Sequence, residues 1–308
     1  LKPDMQKPHF GFRITKVEPM TDDEYITWRN ERPFTTKLLA DGTLQITGYS
    51  DYSSIKMDTD IFIPETIGKV PVTSISASVF RNRSNITSVS IPGSVTSIEN
   101  YTFSGCSGLT SANISNGVVS IGDYAFSRCG SLTNINIPGS VTSIGDYAFS
   151  GCSSLTNINI PGSVTSIGSC AFQDCSSLTN INIPESVTNI DIGAFAGCSS
   201  LTSIDIPRSV TSIGRYAFSS CSSLTDISIP DGVTSIGDHA FYYCSSLTDI
   251  SIPDGVKSIG ALTFSRCSVL KNVYLPASVT SIHDSAFSSS YRVAITAPEG
   301  SYAYEWAK

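Results

Sequence analysis

Residues 132–154 read LTNINIPGSVTSIGDYAFSGCSS, and residues 155–177 read LTNINIPGSVTSIGSCAFQDCSS. The same 23-residue step extends in both directions without insertion. Phenylalanine recurs at this step at positions 80, 103, 126, 149, 172, 195, 218, 241, 264 and 287. Cysteine follows three residues later at 106, 129, 152, 175, 198, 221, 244 and 267. Because a fixed period of roughly 20 to 50 residues is typical of solenoids, we predict about ten stacked turns of one chain.

Each repeat predicts a strand, a corner and a return. Ile135 and Ile137 alternate with polar residues, as in a short β-strand with one polar face. Pro138 then prevents further ladder donation and begins the corner. Val141–Ile144 is a second, very short extended segment. The phenylalanine and cysteine lie three residues apart, as on one face of a short helical or 3₁₀ turn.

The repeated pattern L-x-x-I-x-I-P-x-S-V-T-x-I-G-x-x-A-F-x-x-C resembles the BspA-type leucine-rich repeat, over about residues 72–292. The resemblance implies an α/β, right-handed leucine-rich-repeat solenoid. Its concave face is expected to be a parallel β-sheet, with short helical or 3₁₀ returns on the convex side. The common leucine-rich pattern places Asn or Cys at the ninth position, whereas Ser94, Ser140 and Ser163 stand there in this sequence. We therefore do not expect a conventional asparagine ladder.

Both ends depart from the period, as solenoid caps do. Phe34–Leu39 and Thr43–Thr47 flank a turn sequence and predict an amino-terminal β-hairpin. The expected divisions are an unassigned segment at 1–33, a capping hairpin with a first irregular repeat at 34–71, repeats at 72–292, and a carboxyl-terminal cap at 293–308.

Composition excludes several classes of function. Only 15% of residues are charged, against about 25% in ordinary globular proteins. The net charge of −7 and the lack of a Lys/Arg run exclude a nucleic-acid footprint. No apolar stretch reaches the roughly 18 residues of a membrane span, so no membrane insertion is expected. Because the chain begins at Leu1, we expect a processed or trimmed form, secreted or exposed at the cell surface.

The cysteine column predicts buried free thiols, because equivalent side chains one turn apart point in parallel and do not converge. His9, His239 and His283 are too scattered for a zinc site. With no serine beside a base and no phosphate loop, we expect no catalytic residues, no metal site and no cofactor. Cys170 differs, because it lies in the column of Tyr101, Tyr124, Tyr147 and Tyr216 and is expected to be solvent-accessible. Those tyrosines either pack against the neighbouring return turns or form an exposed aromatic stack that grips a ligand.

The polar strand positions are the candidate partner-binding residues. They are Asn134, Asn136, Asn157, Asn159, Asn180, Asn182, Asp205, Asp226 and Asp249. Asp226 and Asp249 occupy equivalent positions one turn apart, so their charges repel. A solvated surface, a basic partner patch or Ca²⁺ would each accommodate them, and Lys271 would offset part of the repulsion.

These features indicate a non-enzymatic, surface-exposed or secreted module that binds a protein, which the resemblance extends to a host matrix protein or another cell's surface protein. One alternative is a structural spacer that holds another domain away from the envelope. A second is an ice-binding face formed by the threonine row at 110, 133, 156, 179, 202, 225 and 248. A curved sheet does not match a flat ice lattice, which disfavours it.

Overall fold

The computed structural model describes residues 34–49 and 59–308. The segment at 1–33 and part of the predicted capping region, at 50–58, lie outside these residues. The described chain begins with the predicted hairpin. Its strands are β1 (Phe34–Leu38) and β2 (Leu44–Tyr49), which pair antiparallel. Strand β2 then pairs in parallel with the solenoid, so the hairpin covers the first turn.

Each repeat contributes one longer and one shorter strand. The longer strands are β3 (Asp60–Phe62), β6 (Ser88–Ile91), β8 (Ser111–Ile114), β10 (Asn134–Asn136), β12 (Asn157–Asn159), β14 (Asn180–Asn182), β16 (Ser203–Asp205), β18 (Asp226–Ser228), β20 (Asp249–Ser251), β22 (Asn272–Tyr274) and β24 (Ala294–Thr296). We call this column the long-strand ladder. It is parallel and hydrogen-bonded in three groups, β3 to β10, β12 to β18, and β20 to β24.

A second parallel column consists of two-residue strands after a longer first strand. They are β5 (Val70–Ile75), β7 (Ser97–Ile98), β9 (Ser120–Ile121), β11 (Ser143–Ile144), β13 (Ser166–Ile167), β15 (Asn189–Ile190), β17 (Ser212–Ile213), β19 (Ser235–Ile236), β21 (Ser258–Ile259) and β23 (Ser281–Ile282). Strand β4 (Thr66–Ile67) pairs antiparallel with β5. In both columns, paired residues of neighbouring full repeats are offset by 23 residues, as in Ile158 against Ile181. The sequence period therefore fixes the register of the solenoid.

The core is one continuous apolar column inside the turns. The repeated phenylalanines from Phe80 to Phe264 are fully buried, and neighbouring rings stack 5.1 to 5.7 Å apart. The predicted cysteine column is buried and free. Each of these thiols donates to a phenylalanine carbonyl 26 residues earlier, as Cys152 Sγ does to Phe126 O at 3.2 Å. The prediction of buried thiols is confirmed.

The predicted helical or 3₁₀ returns are wrong, and with them the α/β class. The returns are consecutive turns with two left-handed residues per repeat, such as Tyr147 at φ 55° and Gly151 at φ 73°. A left-handed residue cannot continue a right-handed helix. The returns instead bond to the next repeat, as Tyr147 N does to Ser169 O at 2.8 Å. The described chain is a β-solenoid of about ten turns with little helix.

The only helix in the described ranges is α1 (Tyr302–Ala307), at the carboxyl end. The Ser301 side chain caps it by accepting from Tyr304 N. Ala303 is fully buried, and the Trp306 ring lies 6.0 Å from the Phe287 ring. Helix α1 therefore closes the last turn of the core. In the described part of the chain, no helix is long and apolar enough to cross a bilayer.

Candidate functional site

All nine predicted partner-binding residues lie on one surface of the long-strand ladder. In each strand from β10 to β20 the central residue is buried and its two neighbours are exposed. This alternation follows from strand geometry, because successive side chains point to opposite faces. We call the exposed side the strand face. Placement of the nine residues follows the prediction, whereas their role in binding stays a prediction.

The outward-facing residues of the strand face, of which Ser111 is half-buried, form two rows along the solenoid. The first row contains Ser111, Asn134, Asn157, Asn180, Ser203, Asp226, Asp249 and Asn272, and the second contains Asn113, Asn136, Asn159, Asn182, Asp205, Ser228 and Ser251. Paired strands are about 4.8 Å apart. The polar groups of each row are therefore spaced closely enough for a single extended partner segment to contact several of them.

The asparagine amides of the strand face are available for intermolecular hydrogen bonds. Asn134, Asn136 and Asn159 form no side-chain hydrogen bond within the described ranges, and Asn157 forms only a 3.5 Å contact with Thr156 Oγ1. A primary amide carries two N–H donors and an acceptor oxygen. An array of such amides with open donors and acceptors suits polar recognition of another chain.

The aspartates of the strand face are not equivalent. Asp249 accepts a hydrogen bond from the Asn272 side chain. That bond, a second from Thr248 and the charge of Lys271 lower the pKa of Asp249. The expected compensation by Lys271 is therefore present in part. Asp205 and Asp226 form no ion pair or side-chain hydrogen bond with the rest of the described chain, and they present the unneutralised charge of this face.

Two of the predicted residues also line a surface groove. Asn182 and Asp205 lie beside Glu185 and Arg208 in a groove of about 360 Å³ at the end of strands β14 and β16. This groove combines amide, acidic and basic groups at the edge of the strand face. It is the point along the ladder where the asparagine rows give way to aspartates.

Sequence reasoning missed two exposed aromatic residues in the second row. Phe62 is 57% exposed on β3, and Tyr274 is 39% exposed on β22. Register places Phe62 beside Ser90, and Tyr274 beside Ser251. Tyr274 keeps the 23-residue step and is visible in the sequence. Phe62 lies 28 positions before Ser90, so it falls off the period.

Other asparagines and aspartates serve the fold. Asp123 Oδ1 accepts from Asp146 N at 2.9 Å, and Asp146 Oδ1 accepts from Ser169 N at 2.7 Å. Asn100 begins the same ladder by accepting from Asp123 N. These side chains bond the backbone of the next repeat, which the asparagines of the strand face do not.

The threonine row is also structural. Thr110 Oγ1 donates to Thr87 O at 2.9 Å, and Thr179 Oγ1 donates to Thr156 O at 3.1 Å. Thr133 and Thr225 form the equivalent bonds, so four of the seven hydroxyl protons in the row bond the preceding repeat and are not directed to solvent. The ice-binding alternative therefore loses more than half of the free hydroxyl array on which it depends.

One serine–histidine contact occurs near the carboxyl end. Ser285 Oγ lies 2.8 Å from His283 Nδ1, and Ser285 N donates to the same nitrogen at 3.1 Å. Both bonds are exposed and local, which identifies a loop contact. Within the described ranges, no group of three or more His, Cys, Asp or Glu is placed to hold a metal ion. The Ca²⁺ alternative therefore has no ligand set there.

These observations define a non-globular repeat protein: a β-solenoid with a buried phenylalanine–cysteine core and a polar strand face. The family model for the BspA type leucine rich repeat region matches residues 73–201 and 188–302. The chain therefore belongs to this family of repeat proteins.

Solved structures of bacterial leucine-rich repeat proteins are similar. One from Bacteroides ovatus has 29% identity and a TM-score of 0.78, over 86% of this chain and 70% of that chain. The leucine rich repeat protein of T. pallidum has 29% identity and a TM-score of 0.56, over 70% of this chain and 88% of that chain. A leucine rich cell surface protein of Faecalibacterium prausnitzii has 28% identity and a TM-score of 0.42, over 95% and 98% of the two chains. No curated protein matches the sequence.

Proposed function

We propose that this chain is a non-enzymatic binding module that recognises a protein partner through the strand face. In this proposal the solenoid is right-handed and the strand face is its concave surface. The module acts at the cell surface or after secretion, as the resemblance implies. Its partner is a host matrix protein or a surface protein of another cell.

The observation that carries this proposal is the row of exposed, unpaired asparagine amides between two exposed aromatic residues. Eleven strands of mostly three residues, about 4.8 Å apart and about 10 Å wide, offer on the order of 500 Å², about two thirds of one partner's share of a standard interface. Phe62 and Tyr274 supply the aromatic contacts that often dominate interface energies. In this proposal the polar side chains orient the partner through hydrogen bonds, and the two aromatic side chains contribute the buried apolar area of the interface.

The test is a binding screen of the full chain against an array of host matrix and cell-surface proteins. The matched variant replaces Asn157, Asn159, Asn180 and Asn182 by Ser, because serine occupies the same rows at Ser111, Ser203 and Ser228 without disturbing the strands. We expect wild-type chain to retain a partner that this variant loses. The control variant is Arg128→Ser, at an exposed position of the returns where Ser220 is the equivalent residue of a later repeat, and it keeps the partner.

The structural-spacer alternative gives a different result. A spacer depends on length, so deleting residues 132–154 changes its phenotype while the serine variant leaves it unchanged. Retention of every partner by the serine variant, with loss of function on shortening, contradicts the binding proposal and supports the spacer.

A further inference from the structure

An aromatic ladder runs along the returns and is interrupted at two positions. Tyr101, Tyr124 and Tyr147 stack with ring centroids 4.7 and 4.6 Å apart. Tyr216 stacks on His239 at 4.5 Å. The two equivalent positions between Tyr147 and Tyr216 carry Cys170 and Gly193. Three repeat steps of about 4.8 Å separate these tyrosines, about 14 Å in all.

The interruption forms a groove of about 430 Å³. Its lining includes Tyr147, Cys170, Asp174, Ile192, Gly193 and Tyr216. The Cys170 side chain lies against Tyr147, and their hydrogen bond raises the pKa of Tyr147 to about 12. Tyr216 is 38% exposed and Ile192 is 51% exposed. The groove thus has an aromatic wall at each end and an exposed apolar side chain between them.

Negative charge lies beside this groove, and the neighbouring cation Arg215 pairs with Asp238, which is outside the groove lining. Asp174 lines it, Asp191 precedes the lining residue Ile192, and Asp146 precedes Tyr147. None of the three aspartates forms an ion pair with another part of the described chain. Burial and the charge of Asp146 raise the pKa of Asp191. A cation entering the groove would relieve this repulsion.

The chain itself shows which cation suits such rings. Arg81, from the preceding repeat, places its Cζ 4.9 Å from the ring centroid of Tyr101, at the other end of the tyrosine stack. Arg215 lies 5.6 Å from the Tyr216 ring centroid, and its Nε is 3.8 Å from Asp238. A guanidinium is planar, stacks on aromatic rings and pairs with carboxylates.

We propose that this groove receives an arginine side chain of a partner protein, with its guanidinium against one of the two tyrosine rings and paired with Asp174. This is a second contact on the returns, away from the strand face. It rests on the proposed role in protein binding. Its test uses a small arginine compound, so a failure here is distinguishable from a failure of the strand face to bind a partner.

The experiment titrates N-acetyl-arginine N-methylamide into the full chain and follows tyrosine ring signals by NMR. The citrulline analogue is the uncharged isostere, and the tryptophan analogue probes an aromatic occupant. We expect arginine to shift Tyr147 and Tyr216 and to bind at least fivefold more tightly than citrulline. Equal binding of citrulline, tighter binding of tryptophan, or shifts confined to Tyr274 on the strand face would overturn the assignment.

Two variants locate the site. Cys170→Tyr with Gly193→Tyr completes the ladder and fills the groove. Both positions have the left-handed backbone, at φ 55° and 60°, that Tyr147 and Tyr216 already adopt. We expect it to abolish arginine binding, while Leu262→Tyr, at φ 55° in the same column but outside the groove, leaves binding unchanged. Asp174→Asn keeps the groove open and is expected to weaken binding at least threefold; unchanged binding in both groove variants contradicts the proposal.

Discussion

Ser140 and Ser163 occupy the position where the common leucine-rich repeat places asparagine. Their hydroxyls donate to Val118 O and Val141 O, both at 2.6 Å. Ser186 and Ser209 form the equivalent bonds to Val164 and Val187. The expectation that a conventional asparagine ladder is absent agrees with this arrangement. Serine supplies the donor through a shorter side chain and bonds the corner of one repeat to the preceding repeat.

We predict that Ser163→Ala lowers the free energy of unfolding by about 1 kcal/mol, because a part-buried carbonyl loses its donor. Urea denaturation followed by circular dichroism measures the change. The matched control is Ser153→Ala, whose hydroxyl makes an exposed 3.3 Å bond to Gly130 O. A loss at Ser163 no larger than that at Ser153 would show that the serine ladder does not stabilise the stack.

The cysteine column makes stability sensitive to alkaline pH. Burial raises the pKa of Cys175, Cys221 and Cys267 from 9.0 to about 12. Between pH 9 and 12 the unfolded chain loses thiol protons that the folded chain keeps. The contribution of each raised pKa is therefore fully present below pH 9, and it falls by about 1.4 kcal/mol per pH unit above it.

Cys221→Ser tests this linkage at one position. Ser290 already replaces cysteine in the last repeat and donates to Phe264 O at 2.7 Å, the equivalent bond. We expect Cys221→Ser to reduce the alkaline slope by about 1.4 kcal/mol per pH unit, measured by urea denaturation from pH 8 to 10.5. An identical slope in wild type and variant would indicate that this thiol does not titrate on unfolding.

Asp226 and Asp249, on neighbouring strands of the ladder, place like charges in one row of the strand face. Asp249 is partly satisfied by Asn272, whereas Asp226 has no ion pair in the described ranges. We predict that Asp226→Asn with Asp249→Asn weakens partner binding and flattens its salt dependence, because fewer charge contacts form across the interface. The melting temperature stays unchanged or rises slightly, since repulsion within the row is removed.

Binding and melting are measured from 50 to 500 mM salt. The control is Asp231→Asn with Asp254→Asn, which removes the same charge from exposed positions just beyond the strands. If both double variants bind with the wild-type salt slope, the binding contribution lies with the asparagine rows instead.

The strands were predictable because two patterns agree: the alternation of apolar and polar residues within each strand, and the 23-residue period between strands. Ile135 marks the buried side of its strand, and the 23-residue step then fixes its neighbours in every turn. The returns were not predictable in the same way. Phenylalanine and cysteine three residues apart suit a helical turn, but they also suit consecutive turns with left-handed residues. Tyr147 and Leu262 both adopt a positive φ. Tyrosine and leucine rarely do so, and their identity therefore did not predict these turns.

The candidate site was likewise predictable in part from the sequence. Asn134 and its equivalents were located by alternation alone, because an exposed strand position needs no knowledge of distant contacts. Phe62 was missed because five extra residues precede the regular repeats. The groove beside Cys170 was also missed, since it is defined by side chains that are small where their neighbours in space are large. Such a feature depends on stacking between repeats, which a single unit does not contain.

A solenoid needs a cap at each end, because a terminal repeat has only one neighbour to cover its core, whereas every interior repeat has two. The hairpin β1–β2 pairs with β5 at one end, and α1 covers the last turn at the other. Strand β24 pairs only with β22 among the described strands, so its other edge is open. Its residues Ala294 and Thr296 are exposed.

We predict that removing residues 298–308 makes the chain form concentration-dependent oligomers. Loss of α1 uncovers the Phe287 ring, which Trp306 contacts at 6.0 Å, and exposes apolar area beside the open edge of β24. An open edge next to an apolar surface is a template for pairing with another chain. Light scattering over a tenfold concentration range measures the effect.

Tyr291→Ser is the control, because Tyr291 is 91% exposed near the same end and its removal leaves the cap in place. A truncated chain that scatters like wild type at every concentration would show that the final turn is stable without its helix, and that closure of the core does not depend on Trp306.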